Sequence, residues 1–154
     1  MELNYKNFIN FFTNFTLVHI IALCILLDLV FTWIIFFIVF PNTSSGFEFA
    51  SLKEKLLGIL IVSPVLETYF IQYSCITLLR KIIKNDFIIL IITAILFGLL
   101  HNYSLSYVIK GFGAGLIYSS EYLILEKKKE KPLLWVMVTH SLFNLVSFTL
   151  DYLI

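Results

Sequence analysis

Long apolar runs, each broken by one or two polar residues, set the pattern of this chain. From about Leu17 to Phe40 the sequence is almost wholly apolar and only Asp28 is charged, which predicts a first membrane span ended by the turn signal Pro41 to Gly46. A second run, Leu52 to Leu79, carries Pro64, Glu67 and Gln72, and the basic loop Arg80, Lys81, Lys84 follows it. A third, short run covers Phe87 to His101, and Asn102 to Ser106 make a tight polar connection. The fourth, Tyr107 to Leu125, holds Gly111, Gly113 and Gly115; Gly111 and Gly115 form a small-xxx-small pair suited to close helix packing. Lys110 lies near one end of that run and is expected to snorkel towards the membrane surface. After the basic loop Glu126 to Lys131, the fifth run extends from Pro132 to about Leu153 and carries His140 and Asn144. Ahead of all of these, Phe8, Phe11, Phe12 and Phe15 share one helical face, which predicts an interfacial helix leading into the membrane.

The expected fold is therefore all-α: a polytopic transmembrane helix bundle of about five spans plus an N-terminal interfacial helix. Residues 1–154 form one membrane domain. Composition sharpens this. The chain is 60% hydrophobic and 14% charged, against about 25% charged for soluble domains, and its mean hydropathy is +0.95. A net charge of +1 gives no case for nucleic acid as a partner. Cys24 and Cys75 both fall inside spans and are expected to pack rather than pair. The first residues lack the charge pattern and cleavage site of a signal peptide, so the first run is expected to be a retained span. Abundant Ile, Phe, Lys and Asn point to an AT-rich, prokaryotic genome and hence a cytoplasmic membrane. With five spans, Lys6, Arg80, Lys81, Lys84, Lys127, Lys128, Lys129 and Lys131 fall on one side, while Lys53, Lys55 and Lys110 fall on the other. The excess predicts a cytoplasmic N-terminus.

Glu67 raises the question of function. It lies 13 residues from Arg80, roughly 20 Å along a helix and so well inside a slab about 30 Å thick. A carboxylate at that depth is costly, and such residues mark sites by default. Asp28 is a second intramembrane acid, for which a structural role is expected because no motif surrounds it. His101 ends the third run, and His140 and Asn144 stand at i and i+4 on one face of the fifth. Counted from the basic side, His101 is roughly 21 Å deep and His140 roughly 12 Å deep, a difference that tilt or stagger must absorb. A carboxylate beside a neutral imidazole can hold and deprotonate a water. A second histidine with an amide offers donors to an oxyanion. The same Glu67, His101 and His140 also match a His₂Glu zinc site, and the residues alone leave these two readings open. The bland alternative is that each is a helix–helix hydrogen-bonding residue; three helices contributing at once argue against it.

These residues carry a resemblance. The chain resembles the CPBP intramembrane proteases (CAAX proteases and bacteriocin-processing enzymes, also called the Abi family). That family shows Pro-x-x-Glu-Glu-x-x-x-Arg, then Phe-x-x-x-His, then His-x-x-x-Asn. Here the first motif reads Pro64, Glu67, Thr68 and Gln72, the second Phe97 to His101, and the third His140 to Asn144. The match spans roughly residues 56–150, and the corresponding protease core is expected over about 52–153. Thr68 and Gln72 replace a second glutamate and an arginine, which removes two charges from the membrane and leaves room for a side-chain contact at i and i+4. The resemblance implies an intramembrane endopeptidase with Glu67 as general base, His101 helping to bind the water, and His140 and Asn144 stabilising the oxyanion, with Thr68 and Gln72 in support. It favours no cofactor, with zinc as the alternative. The partners it implies are the lipid bilayer and a peptide or membrane-protein substrate; oligomeric state is not legible. Two other functions compete: a non-catalytic protein of the same fold (bacteriocin self-immunity or a scaffold), and a small transporter using Asp28, Glu67 and His101 as a proton relay.

Overall fold

The structure is a computed structural model that describes residues 2–41 and 51–153. Beyond Pro41, the turn expected up to Gly46 lies outside the described residues. Those residues form six helices: α1 (Glu2–Thr13), α2 (Leu17–Val39), α3 (Leu52–Leu79), α4 (Asp86–Leu100), α5 (Leu105–Lys127) and α6 (Pro132–Leu153). No strand occurs among them, so the all-α bundle stands.

Short polar side chains start four of the helices. Thr16 accepts from the His19 N–H, Ser51 from Glu54, Asn85 from Phe87 and Ile88, and Ser104 from Tyr107. Each satisfies an amide that the first helical turn leaves without a partner. Helix α5 ends differently. Lys129 takes φ 59°, and the Glu130 N–H returns to the Leu125 carbonyl at 3.0 Å. A left-handed residue at this place closes a helix, and it is usually glycine.

Three helices, α2, α3 and α6, are long and apolar enough to cross a membrane by length and composition. Much of each faces outward, with Val18, Leu26, Trp33 and Phe37 of α2 and Leu66 and Phe70 of α3 among the exposed apolar residues. The other two expected spans differ for separate reasons. Helix α4 is apolar but only 15 residues long. Helix α5 has 23 residues and carries Lys110 and Glu121 in its apolar stretch. It can do so because it is the central helix: α1, α2, α3, α4 and α6 all pack against it. A helix that faces protein on every side does not need the hydropathy of one that faces lipid.

Helices α4 and α5 approach closely, and glycine lets them do so. A β-carbon on Gly115 would stand 2.8 Å from the Ala94 Cα, and one on Gly98 would stand 2.8 Å from the Val108 carbonyl oxygen. Between lipid-embedded helices water supplies no driving force, so this backbone approach, with its dispersion contacts, is what binds the two. The Gly111 and Gly115 pair serves packing within the chain.

At one end of the bundle the loops meet. Arg80 Nη1 lies 2.6 Å from Glu126 Oε2, and Arg80 Nε lies 3.3 Å from Asp86. Lys127 and Lys128 bond to Asn10 and Thr13 of α1. The C-terminal end of α1, the α3–α4 loop and the α5–α6 loop therefore share one face, the grouping expected from the order of the apolar runs. Helix α1 does more than lie on a surface, since Ile9 is buried and Tyr5 meets Phe87 edge-on at 5.6 Å. Cys24 and Cys75 are free, as expected.

Candidate active site

Pro64 shapes the helix that carries Glu67. Proline has no N–H, so it cannot close a helical hydrogen bond. The backbone widens into a π-helix over Gly58–Val62, where the Ser63 N–H reaches back five residues to Gly58. The next bond of that series would run from residue 64 to Ile59, and Pro64 cannot make it. Asn144 of α6 fills the gap: its Nδ2 donates to the Ile59 carbonyl at 2.6 Å. A carbonyl orphaned inside the membrane would cost several kcal/mol by transfer estimates. The third sequence motif is thus bonded to the turn of α3 just ahead of the first, at the carbonyl that Pro64 leaves open. A short α-helical stretch, Ser63–Glu67, follows, and then a second π-helix, Thr68–Cys75. Such widened turns collect at functional sites.

Glu67 meets both histidines. Its Oε2 lies 3.8 Å from His101 Nε2 and 3.9 Å from His140 Nε2. His101, at the C-terminal cap of α4, and His140 of α6 thus approach the same carboxylate oxygen of α3. The depth difference between His101 and His140 is therefore taken up by the relative placement of α4 and α6. Both separations exceed a direct hydrogen bond. The Glu67 side chain is 22% exposed, His101 20% and His140 6%. Glu67 and His101 are thus reachable, whereas His140 is enclosed.

The imidazoles are held in two ways. His101 Nδ1 bonds to the Phe97 carbonyl at 2.8 Å, and its ring stacks on Phe97 at 4.9 Å. A carbonyl can only accept, so Nδ1–H donates to it, and in the neutral ring Nε2 carries the lone pair that faces the Glu67 side. Gly111 leaves the space for this ring, because a β-carbon there would stand 3.1 Å from the imidazole. His140 Nδ1, in contrast, is buried with no hydrogen-bond partner. Its ring is stacked on Tyr118 at 4.7 Å and 28°.

Of the remaining predicted residues, Asn144 reaches the site region with one amide hydrogen already committed to Ile59. Thr68 and Gln72 are fully buried, and Thr68 Oγ1 and both amide atoms of Gln72 have no hydrogen-bond partner. The side-chain contact for which i, i+4 spacing leaves room is not made as a hydrogen bond. That spacing is α-helical, and the stretch from Thr68 winds as a π-helix instead. Among the described residues no group of three or more His, Cys, Asp and Glu side chains is arranged to hold a metal ion.

Sequence reasoning missed one buried acid, Glu121, and placed Lys110 at the wrong depth. Lys110 does not snorkel: its Nζ lies 3.8 Å from Asp28 Oδ1 and 4.5 Å from the centre of the Phe143 ring. It leaves the external side of the charge count and joins the interior. Asp28 is fully buried and accepts the Tyr118 hydroxyl at 2.7 Å. Glu121 is fully buried too, and it accepts from Thr139 at 2.6 Å. The signal for all three was available, since each is an ionisable residue inside an apolar run.

A family model described as "Rce1-like: Type II CAAX prenyl endopeptidase Rce1-like" matches residues 50–146, more than half of the chain. The chain belongs to this family. No curated protein and no solved structure matches it. Glu67, His101, His140 and Asn144 all lie inside the matched part of this Rce1-like protein, whereas Asp28 lies outside it. As a member of a membrane-protease family with helices suited to span a bilayer, it is an integral membrane protein.

Proposed function

We propose that this protein is an intramembrane endopeptidase in which Glu67 activates water against a peptide bond. The convergence of His101 Nε2 and His140 Nε2 on one Glu67 oxygen, at 3.8 and 3.9 Å, carries the reading. These gaps are too long for direct bonds and suit a water that bonds to the carboxylate and to an imidazole together. Glu67 takes a proton from that water as it attacks the carbonyl carbon. The proton then passes to the leaving nitrogen as the C–N bond breaks, which regenerates the carboxylate. His140 and the second Nδ2 hydrogen of Asn144 are the donors available to the oxyanion. No covalent enzyme intermediate is required.

The substrate is a membrane-associated protein or a peptide precursor. Exposed Leu66 and Phe70 flank Glu67 on α3, so the site lies within a turn of the lipid-facing surface. The excess of basic residues around Arg80 and Lys127 favours a cytoplasmic N-terminus. The test is cleavage of a peptide library by purified protein, with and without chelator. Glu67→Gln and His101→Ala should abolish cleavage while insertion and folding persist, and chelator should have no effect. Cleavage at the wild-type rate by Glu67→Gln would refute the mechanism, and loss of activity in chelator would move the chemistry to zinc. A second reading, a non-catalytic protein of the same fold such as a self-immunity factor or scaffold, is favoured by the commitment of Asn144 to Ile59 and by the neutral pair Thr68 and Gln72. It predicts that protection or binding survives Glu67→Ala.

A further inference from the structure

We propose that Asp28 and Tyr118 are positioning residues for His140, so that a helix outside the family match completes the site. The proposal rests on the endopeptidase reading for its kinetic consequence, although the placement of the ring can be measured without it. A catalytic histidine usually has one ring nitrogen fixed by a hydrogen bond, which sets the orientation of the other. His101 has such a bond through Nδ1 to Phe97. His140 has none, since its Nδ1 is buried and unpartnered. What sets its plane is the Tyr118 ring, stacked at 4.7 Å and 28°; the Phe97 ring is farther, at 6.1 Å and 54°. Tyr118 is fully buried and tethered by its hydroxyl, which donates to Asp28 Oδ2 at 2.7 Å. Asp28 in turn faces Lys110, whose ammonium also sits over Phe143, the residue before Asn144.

This accounts for a cost the fold otherwise carries without purpose. A buried carboxylate and a buried ammonium are both expensive in a membrane, and removing either partner strands the other. The pair stands one link away from the imidazole that faces Glu67, and the link is a single hydroxyl. A ring held by stacking alone slides more freely than one tethered at its far edge. Loss of the tether should therefore reach His140 while the rest of the bundle is unchanged.

The chain has three histidines, which makes the ring directly observable. Protein labelled with ¹⁵N-histidine in nanodiscs should give three sets of imidazole resonances, assigned by single His→Gln variants. Tyr118→Phe keeps the stack and removes the tether. It should shift the His140 resonances and leave His19, at the start of α2, unmoved. In the cleavage assay it should lower kcat about tenfold with KM within twofold. Asp28→Ala should act in the same direction. Asp28→Asn, which retains an acceptor for the hydroxyl, should return the His140 resonances towards wild type. Combining Tyr118→Phe with Asp28→Ala should lower kcat no further than the stronger single change, because both cut one link. His140 resonances unmoved by Tyr118→Phe in a folded, monodisperse sample would overturn the proposal, as would kcat losses that multiply. If the wild-type protein shows no cleavage that depends on Glu67, the endopeptidase reading falls, and the resonances still decide the positioning.

Discussion

Asn144→Ala should destabilise the bundle, and Pro64→Ala should repair it. The bond at stake runs from Asn144 Nδ2 to the Ile59 carbonyl at 2.6 Å. It exists because the π-helical series that begins with Ser63 to Gly58 needs an N–H at residue 64, where proline has none. A buried acceptor that loses its partner costs about 1–3 kcal/mol in soluble proteins. Interhelical hydrogen bonds within membranes average only about 0.6 and reach about 1.7 kcal/mol. Here the carbonyl has no alternative donor in its own helix, so the upper part of the membrane range applies: about 1–2 kcal/mol for Asn144→Ala. Pro64→Ala restores an N–H in register with Ile59. In the double variant the backbone can close the bond itself, and the penalty of Asn144→Ala should fall below about 0.5 kcal/mol, a coupling of about 1 kcal/mol between residues on different helices. Equilibrium unfolding in bicelles, measured on the wild type and the three variants, gives this cycle directly. Additive losses, with the Asn144→Ala penalty undiminished by Pro64→Ala, would refute the account of why Asn144 bonds to the Ile59 carbonyl. Cleavage measured on the same four proteins separates two roles. If stability returns in the double variant and activity does not, the second amide hydrogen of Asn144 serves the oxyanion.

The glycines of α5 should divide by what they face. Gly111→Ala presses a methyl group on the His101 ring and the Gly98 Cα, both at 3.1 Å, so it should cost under about 1 kcal/mol, because the gain in helix propensity offsets mild overpacking. It should nevertheless lower kcat about tenfold by moving the imidazole. Gly115→Ala meets the Ala94 backbone and Phe97 Cβ at 2.8 Å, and carbon atoms need roughly 3.5–4.0 Å. It should therefore force α4 from α5 and cost about 1–3 kcal/mol; thermal unfolding together with cleavage distinguishes the two patterns. Thr68→Glu alone places an unpaired carboxylate at a fully buried position and should destabilise by about 3 kcal/mol or more, while adding Gln72→Arg should recover at least about 1 kcal/mol in an unfolding cycle. Lys129 adopts a left-handed conformation, so Lys129→Gly should stabilise by up to about 1 kcal/mol in the same assay.

The sequence made legible what repeats and what is out of place. Long apolar runs announce helices by their length. Glu67, His101 and His140 were legible because each contradicts its surroundings, and the structure brings those three together. What could not be read were quantities that depend on two helices at once. The π-helical winding of α3 follows locally from Pro64, but its stability depends on an amide 80 residues further along the chain. Lys110 was assigned to the surface by a rule that treats each span as facing lipid; α5 faces protein, and the lysine turns inward to Asp28.

Asp28 illustrates the limit from the other direction. It stands in the most hydropathic of the three candidate membrane spans, with no motif around it, and its partners Lys110 and Tyr118 lie far along the sequence on α5. Only the fold shows that its two oxygens divide between an ammonium and a hydroxyl, and that the hydroxyl belongs to the ring against His140. The family match begins at residue 50 and so omits this helix. On the reading proposed above, a short segment with recognisable motifs carries the reacting groups while a helix outside it supplies their orientation. The motifs bring Glu67, His101 and His140 together, and the buried pair of Asp28 and Lys110 stands behind the Tyr118 ring that stacks on His140. A fragment limited to the matched residues would retain Glu67, His101, His140 and Asn144, but it would leave Lys110 without a counter-ion and Tyr118 without an anchor.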